Sequence, residues 1–273
     1  MGDQVDELVR SAVTNQERAE VGLPVEQDVN HLIFAGPSGT GKTTVARKIA
    51  PLYNALGLLP SDKFVEVNPA DLYGEYQGET QQKVKRAFEQ ARGGVLFIDE
   101  AYGLLTGKDD SYGKQAITSL ISMMNDKDTV VILGGYPKEM KDFLKANEGL
   151  SRRFSRTIDF PSYDQTSRAD ILFSNMDSEK YQLASPELMD AIDDAVLETG
   201  GGNAGDVKNL WASIKSAQQK RLESEEPAEN RKAQLSTITA SDIRSGVRQY
   251  KATANVEAPL RGTLVPTSRK KAS

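Results

Sequence analysis

The eight residues Gly36-Pro37-Ser38-Gly39-Thr40-Gly41-Lys42-Thr43 fill every fixed position of a phosphate-binding loop, a motif that works only between a strand and a helix. Leu32-Ile33-Phe34-Ala35 ahead of it is a short apolar run of the kind that forms a strand buried on both faces. Behind it, Val45, Ile49 and Leu52 recur at helical spacing on a segment that opens at Thr43. Glycine lets the backbone turn tightly enough for successive N–H groups to converge, and the helix N-terminus adds partial positive charge, so the loop suits a polyphosphate. Lys42 is expected to reach the β- and γ-phosphates and the Thr43 hydroxyl to ligate Mg2+, with Thr44 completing the nucleotide-binding stretch. A chance glycine-rich turn is the competing reading.

A second motif weighs against chance. Val95-Leu96-Phe97-Ile98 is another buried-strand run, and it ends in the adjacent acids Asp99 and Glu100. Two carboxylates at the end of an apolar strand are costly unless a cation meets them, and Mg2+ beside the phosphate loop is that partner. Asp99 is expected to hold the metal through its water shell, and Glu100 to orient and deprotonate an attacking water. The alternative is that both acids merely cap the next helix.

Bulk properties narrow the chemistry further. A chain of 273 residues is long enough for one large or two modest domains with a proper core. Charged residues make up 27% and hydrophobic ones 38%, ordinary for a soluble globular protein, and the formal net charge of −5 argues against a general nucleic-acid binder. No run approaches a membrane span and the N-terminus lacks the layout of a signal peptide, so a cytoplasmic location without membrane contact is expected. With no cysteine and a single histidine, His31, thiol nucleophiles, thiolate zinc sites and histidine clusters are excluded. Carboxylates, lysine, arginine and a bound ion must carry any reaction.

In chain order, residues 3–20 place Val5, Leu8, Val9, Ala12 and Val13 on one face of an amphipathic helix, followed by a loop; residues 1–30 are read as helix and linker. His31 is read as a structural hydrogen-bonding residue, with a place near the adenine as the alternative. A short strand is expected over Lys63–Val67, then a glycine-hinged loop from Asp71 to Thr80 holding Tyr73 and Tyr76, then a helix through Val84, Phe88 and Ala91. Exposed aromatics on such a loop often pack back onto the domain. After the carboxylate strand come a polar loop, a helix with Ile117, Leu120 and Met124, a fourth strand over Thr129–Tyr136, and a helix opening at Pro137. Arg152-Arg153-Phe154-Ser155-Arg156 leads into a fifth strand, Thr157–Phe160. Strands alternating with helices imply an α/β domain over 31–162 with a mainly parallel five-stranded sheet between helical layers, whose ligands bind at the strands' carboxyl ends. Residues 163–250 read as a small all-α domain hinged at Gly200-Gly201-Gly202-Asn203, and 251–273, ending Arg269-Lys270-Lys271, as a disordered basic tail.

Phosphate loop, Asp-Glu strand end, arginine pair before the fifth strand and helical lid together resemble the AAA+ ATPases. The segments HLIFAGPSGTGKTTVARKIA, GGVLFIDEAYGL, VVILGGY, NEGLSRRF and IDFPSY are similar to the branch containing red-type Rubisco activase, the sporulation stage V ATPase and the C-terminal ATPase domain of type VII secretion chaperones. The resemblance runs from about residue 15 to 250. It implies ATP and Mg2+ as ligands and a homo-oligomeric ring, usually a hexamer, with each nucleotide between subunits. Arg153 matches the arginine finger that a neighbour inserts toward the γ-phosphate, with Arg152 assisting; a salt bridge or helix-end cap is the plainer reading of the pair. A guanidinium in that role is worth roughly 10³–10⁵ in rate. Tyr76-Gln77-Gly78 matches the central-pore loop that grips a threaded polypeptide, and Lys108 to Ser111 is the expected second pore loop.

This chain departs from the branch at several positions. Asn203-Ala204-Gly205 stands where a lid arginine is usual, and Lys208, one turn along, is the residue expected to stand in for it. Gly135-Tyr136 takes the place of the polar sensor common in AAA+ proteins at large, and Gln77 that of an aliphatic neighbour of the pore tyrosine. The stretch upstream is too short for the branch's additional segment, so substrate choice is expected to reside elsewhere. The leading expectation is a Mg-ATP-driven motor that remodels a protein partner. The alternatives are a nucleic-acid ATPase such as a loader, and a weakly hydrolysing, nucleotide-gated assembly module.

Overall fold

Apolar runs bounded by glycine or polar turns become the strands of a computed structural model that describes residues 2–24, 31–74, 76, 78–105, 111–126, 128–226 and 229–254. The basic tail past residue 254, Gln77 and residues 108–110 of the expected second pore loop lie outside these. The chain divides into two compact units, Met1–Ser162 and Tyr163–Ser273.

The first unit runs α1 (Gly2–Glu20), β1 (Leu32–Ala35), α2 (Lys42–Ala55), β2 (Phe64–Val67), α3 (Pro69–Leu72), α4 (Glu79–Ala91), β3 (Val95–Ile98), a 3-10 turn (Ala101–Leu104), α5 (Ser111–Met123), β4 (Val130–Gly135), α6 (Pro137–Lys145), α7 (Glu148–Ser151) and β5 (Arg156–Asp159). The five strands form one parallel sheet in the order β2-β3-β4-β1-β5. Every residue of β1, β3 and β4 is buried, because helices cover both faces of the interior strands. The edge strands β2 and β5 are only partly buried and carry Glu66, Arg156 and Asp159.

Successive residues of a strand point to opposite faces, and the core divides accordingly. Ile33, Leu96, Ile98, Val131 and Leu133 pack with Val84 and Phe88 of α4 and Ile117 and Leu120 of α5. Leu32, Phe34, Phe97 and Ile132 pack with Ala46, Ile49 and Tyr53 of α2. The register Phe34↔Gly134 and Ile98↔Leu133 brings the carboxyl ends of β1, β4 and β3 side by side. That end of the sheet carries the candidate site.

Several expectations need correcting here. The second strand starts at Phe64, not Lys63, and the fourth runs Val130–Gly135, one residue shorter at each end. The fifth strand starts one residue earlier, at Arg156, and ends at Asp159. Asp71 and Leu72, assigned to a loop, close the short helix α3, because Asn68 and Asp71 form a reciprocal cap: Asp71 accepts from the Asn68 N–H at 2.8 Å. Ser111, assigned to the second pore loop, is the first residue of α5.

The second unit holds α8 (Gln165–Ser178), β6 (Gln182–Leu183), α9 (Leu188–Leu197), α10 (Ala204–Ser224), α11 (Arg231–Ser236), β7 (Thr237–Ile238) and α12 (Ala240–Ala254). Leu172, Ile192, Val196, Leu210, Trp211, Ile214, Ile243 and Tyr250 form its core. Gly246 permits the close approach of α12 to α10: a Cβ there would lie 2.5 Å from Ile214 Cα. The expected all-α character holds except for a two-residue parallel ladder, Gln182↔Thr237 and Leu183↔Ile238. A pairing this short has no periodicity to read. The Arg221 guanidinium braces it, donating to Asp242 Oδ1 at 2.9 Å, to Asp242 Oδ2 at 3.0 Å and to the Thr237 carbonyl at 3.4 Å. The helix expected to end at residue 250 continues to Ala254. Among the described residues no helix is long and apolar enough to cross a membrane.

Candidate nucleotide-binding site

β1 delivers the chain to the glycine-rich loop, and the backbone then turns through two left-handed positions, Gly39 at φ 74° and Gly41 at φ 92°, before α2 begins at Lys42. Side chains seldom tolerate that conformation, which explains glycine at both sites. Gly36 is fixed for another reason: its N–H donates to the Gly135 carbonyl at 3.0 Å, and a Cβ would come within 2.3 Å of the Phe160 carbonyl oxygen. Thr40 is buried, and its hydroxyl donates to the Pro37 carbonyl at 2.9 Å. Ser38 and Thr44 are exposed and Thr43 is half-buried at the start of α2.

Lys42 is buried, and its Nζ donates to the Gly36 and Pro37 carbonyls, each at 2.9 Å. Burial holds its pKa below the usual lysine value, and the nearby carboxylates of Asp99 and Glu100 act in the opposite direction. The ammonium is thus held against loop carbonyls at the carboxyl end of the sheet. Tyr136 adds its ring, with Nζ 5.9 Å from the centroid.

β3 ends with Asp99 half-buried and Glu100 exposed. The Glu100 N–H donates to Asp99 Oδ1 at 3.0 Å, which orients that carboxylate. Glu100 itself stands at φ 49°, a left-handed conformation that non-glycine residues seldom hold and that clusters at functional sites. Among the described residues no group of three or more His, Cys, Asp or Glu side chains forms a metal cluster. Thr43 and Asp99 fit a cation that prefers hard oxygen donors and retains several waters, as Mg2+ does.

The remaining site residues lie elsewhere in their units. Arg153 is half-buried: Nη2 donates to Asn125 Oδ1 at 2.9 Å and Nη1 to the Gly149 carbonyl at 3.2 Å. Arg152 is exposed and pairs with Glu148 at 3.4 Å, both side chains largely in water. The helix-end contacts set out as the plainer reading of the pair are therefore present within the chain. His31 accepts from the Val131 N–H at Nδ1 (3.0 Å), hydrogen-bonds the Met124 backbone and lies 5.7 Å from the Phe154 ring. Its role is structural, and burial lowers its pKa to about 4. Tyr76 is 69% exposed, whereas the Tyr73 hydroxyl donates to the Gly103 carbonyl at 2.7 Å. Gly78, at φ 88°, caps α4. In the second unit Lys208 is exposed on α10, and a Cβ at Gly205 would meet nothing within 4 Å.

Sequence reasoning passed over Gly134, Asn125 and the reach of Tyr73. Gly134 was readable only as the end of a strand, and Asn125 as one polar residue of a turn. Both matter through neighbours that are distant in sequence.

Residues 32–162 match the ATPase family associated with various cellular activities (AAA), and residues 169–254 match the AAA lid domain. The ESX-3 secretion system protein EccA3 of Mycolicibacterium smegmatis is 40% identical over 261 residues, covering 88% of this chain and 43% of that protein. Stage V sporulation protein K of Bacillus subtilis is 42% identical over 186 residues, 67% of this chain and 58% of that protein. The chain thus spans well under two thirds of the length of either relative. Protein CfxQ of Xanthobacter flavus is 35% identical over 89% of this chain and 78% of its own length. The crystal structure of the FIGL-1 AAA domain superposes with a TM-score of 0.63 over 90% of this chain and 80% of that one, and at 18% identity the likeness is one of fold. With both parts of the chain matched and the same relatives indicated by its motifs, the chain belongs to the AAA family of ATPases, in the branch that holds EccA3, stage V sporulation protein K and CfxQ.

Proposed function

We propose that this chain hydrolyses ATP with Mg2+ in a homo-oligomeric ring and uses the cycle to remodel a protein partner. The observation that carries the reading is the convergence at one sheet end of Lys42, Asp99 and Glu100, with Lys42 electrostatically coupled to both acids. The glycine-rich loop holds the phosphates through its N–H groups, and Lys42 binds a γ-phosphate oxygen. Thr43 and Asp99 are the residues that would hold Mg2+, whose charge would offset that of the phosphates. Glu100 takes the proton of a water that attacks the γ-phosphorus as the bond to the β-phosphate oxygen breaks and ADP leaves. Arg153 of an adjoining subunit, with Arg152 beside it, faces the transferring group. Tyr76 contacts the client and Lys208 serves the lid.

Phosphate release from the purified chain tests the reading directly. Lys42→Ala is expected to lose nucleotide binding, and Glu100→Gln to bind ATP and lose turnover by about 10²–10⁴-fold. Turnover unchanged in Glu100→Gln removes the general-base assignment. The missing side chain at Gly205 favours a second reading, a slowly hydrolysing assembly module, and the same assay separates it by parental turnover near that of Glu100→Gln.

A further inference from the structure

We propose that Tyr73 is a positioning residue that transmits the backbone state of Glu100 to Tyr76, through its hydrogen bond to the Gly103 carbonyl. This rests on the functional reading above, in which Glu100 attends the reaction and Tyr76 meets the client.

The path is short and built from main-chain contacts. The Gly103 N–H donates to the Glu100 carbonyl at 2.8 Å, closing the 3-10 turn directly behind that acid. The Gly103 carbonyl, on the same residue, accepts from the Tyr73 hydroxyl at 2.7 Å. The turn also lies against α3, whose C-cap is Tyr73: a Cβ on Gly103 would stand 3.0 Å from Pro69 Cγ. Tyr73 is held at its other end too, since Lys83 Nζ of α4 donates to its carbonyl at 2.6 Å. Beyond it the loop is tied down by Gly74 N–H to Thr80 Oγ1 at 2.9 Å and Tyr76 N–H to Glu79 Oε2 at 3.2 Å. Tyr76 is thus three residues from a side chain fixed to the turn that follows Glu100.

A transmitting element needs two conformations whose balance both ends bias. Glu100 is the residue placed to supply them, since it stands at φ 49° in the left-handed well while non-glycine residues in general populate the right-handed well more. Passage between the wells reorients the Glu100 carbonyl and, through Gly103, the acceptor of the Tyr73 hydroxyl. Half-buried packing alone has no use for that hydroxyl; phenylalanine would fill the same space.

The chain has no cysteine, so Glu75→Cys offers one attachment point for an environment-sensitive thiol dye beside Tyr76. Emission is compared with Mg-ADP and with a Mg-bound non-hydrolysable ATP analogue. The labelled parent is expected to distinguish the two nucleotides. Tyr73→Phe should shrink that difference by about fivefold while kcat for ATP stays within about twofold. Thr80→Val, which removes the Gly74 bond and spares the Gly103 bond, should keep the full difference. The proposal is overturned if Tyr73→Phe responds like the parent, if Thr80→Val loses the response equally, or if a parent that hydrolyses ATP shows no difference. A parent that neither binds nor hydrolyses ATP overturns the functional reading itself.

Discussion

The Asp99 carboxylate occupies the space that a side chain at Gly134 would need: a Cβ there would lie 2.8 Å from Asp99 Oδ1 and 2.9 Å from Phe97 Cζ. Phe97 is fully buried, so its ring does not yield freely, and the half-buried Asp99 carboxylate is the neighbour that must move. Gly134→Ala is expected to cost about 1–3 kcal/mol in stability by overpacking. Displacing the acid by about 1 Å is expected to reduce Mg-dependent turnover by about 100-fold. Thermal unfolding and phosphate release measure the two effects, and a variant with parental Tm and rate contradicts the assignment.

Arg153 is bonded to Asn125 and Gly149 of its own subunit, yet the shared-site reading gives it work in a neighbour's site. Arg153→Ala and Glu100→Gln, each alone, should lose turnover, the former by roughly 10³-fold or more. Mixing the two before assembly creates interfaces with Glu100 on one side and Arg153 on the other. Turnover should reappear in the mixture; no recovery in a demonstrably mixed oligomer rules out sharing.

Burial lowers the His31 pKa from 6.5 to about 4, so the native state keeps the imidazole neutral while the unfolded chain protonates it. The stability from this residue is complete above pH 6.5 and is lost as pH falls through 6.5 toward about 4. The whole effect is on the order of 3 kcal/mol. In His31→Asn the unfolding free energy should be flatter between those limits than in the parent. Identical pH slopes refute it.

Open space at Gly205 admits the arginine usual in the branch. Gly205→Arg gains roughly 0.8 kcal/mol of helix propensity and loses about 0.3–1 kcal/mol because a cation sits in the first turn of α10. The two nearly cancel, so Tm should hardly move. Turnover is expected to rise about tenfold if the lid supplies a phosphate contact. An unchanged rate at unchanged Tm argues against such a contact.

Asp242 is 1% exposed, receives two bonds from Arg221, and also accepts from the Thr239 N–H and hydroxyl, each at 2.9 Å. Asp242→Ala leaves that guanidinium without its main partner and removes the bonds that the Thr239 N–H and hydroxyl make at the start of α12. The expected loss is about 3–5 kcal/mol. Hydrogen exchange should speed up over residues 237–254, and protection equal to the parent's would show the pair to be dispensable.

Much of the first unit is legible in the sequence. β1 and β3 fall on the residues expected, since a four-residue apolar run between turn formers has few other folds available. The two-residue ladder of the second unit was not legible, because its pairing joins residues 55 apart in sequence with no repeating pattern. The resemblance singles out Tyr76 rather than Tyr73, but the contact that separates them is tertiary: Tyr73 bonds to the turn behind Glu100 while Tyr76 is 69% exposed.

The amino-acid order by itself determined what is governed by local energy: the glycine-bearing turn, the apolar strands, the helix spacings and the adjacency of Asp99 and Glu100. The tertiary structure alone decided which strands are neighbours, and with that the meeting of Gly134 with Asp99, of Asn125 with Arg153 and of Gly103 with Tyr73. Backbone preference acts over a few residues, whereas these contacts follow from shared burial across long connections, where no window of the chain contains both partners.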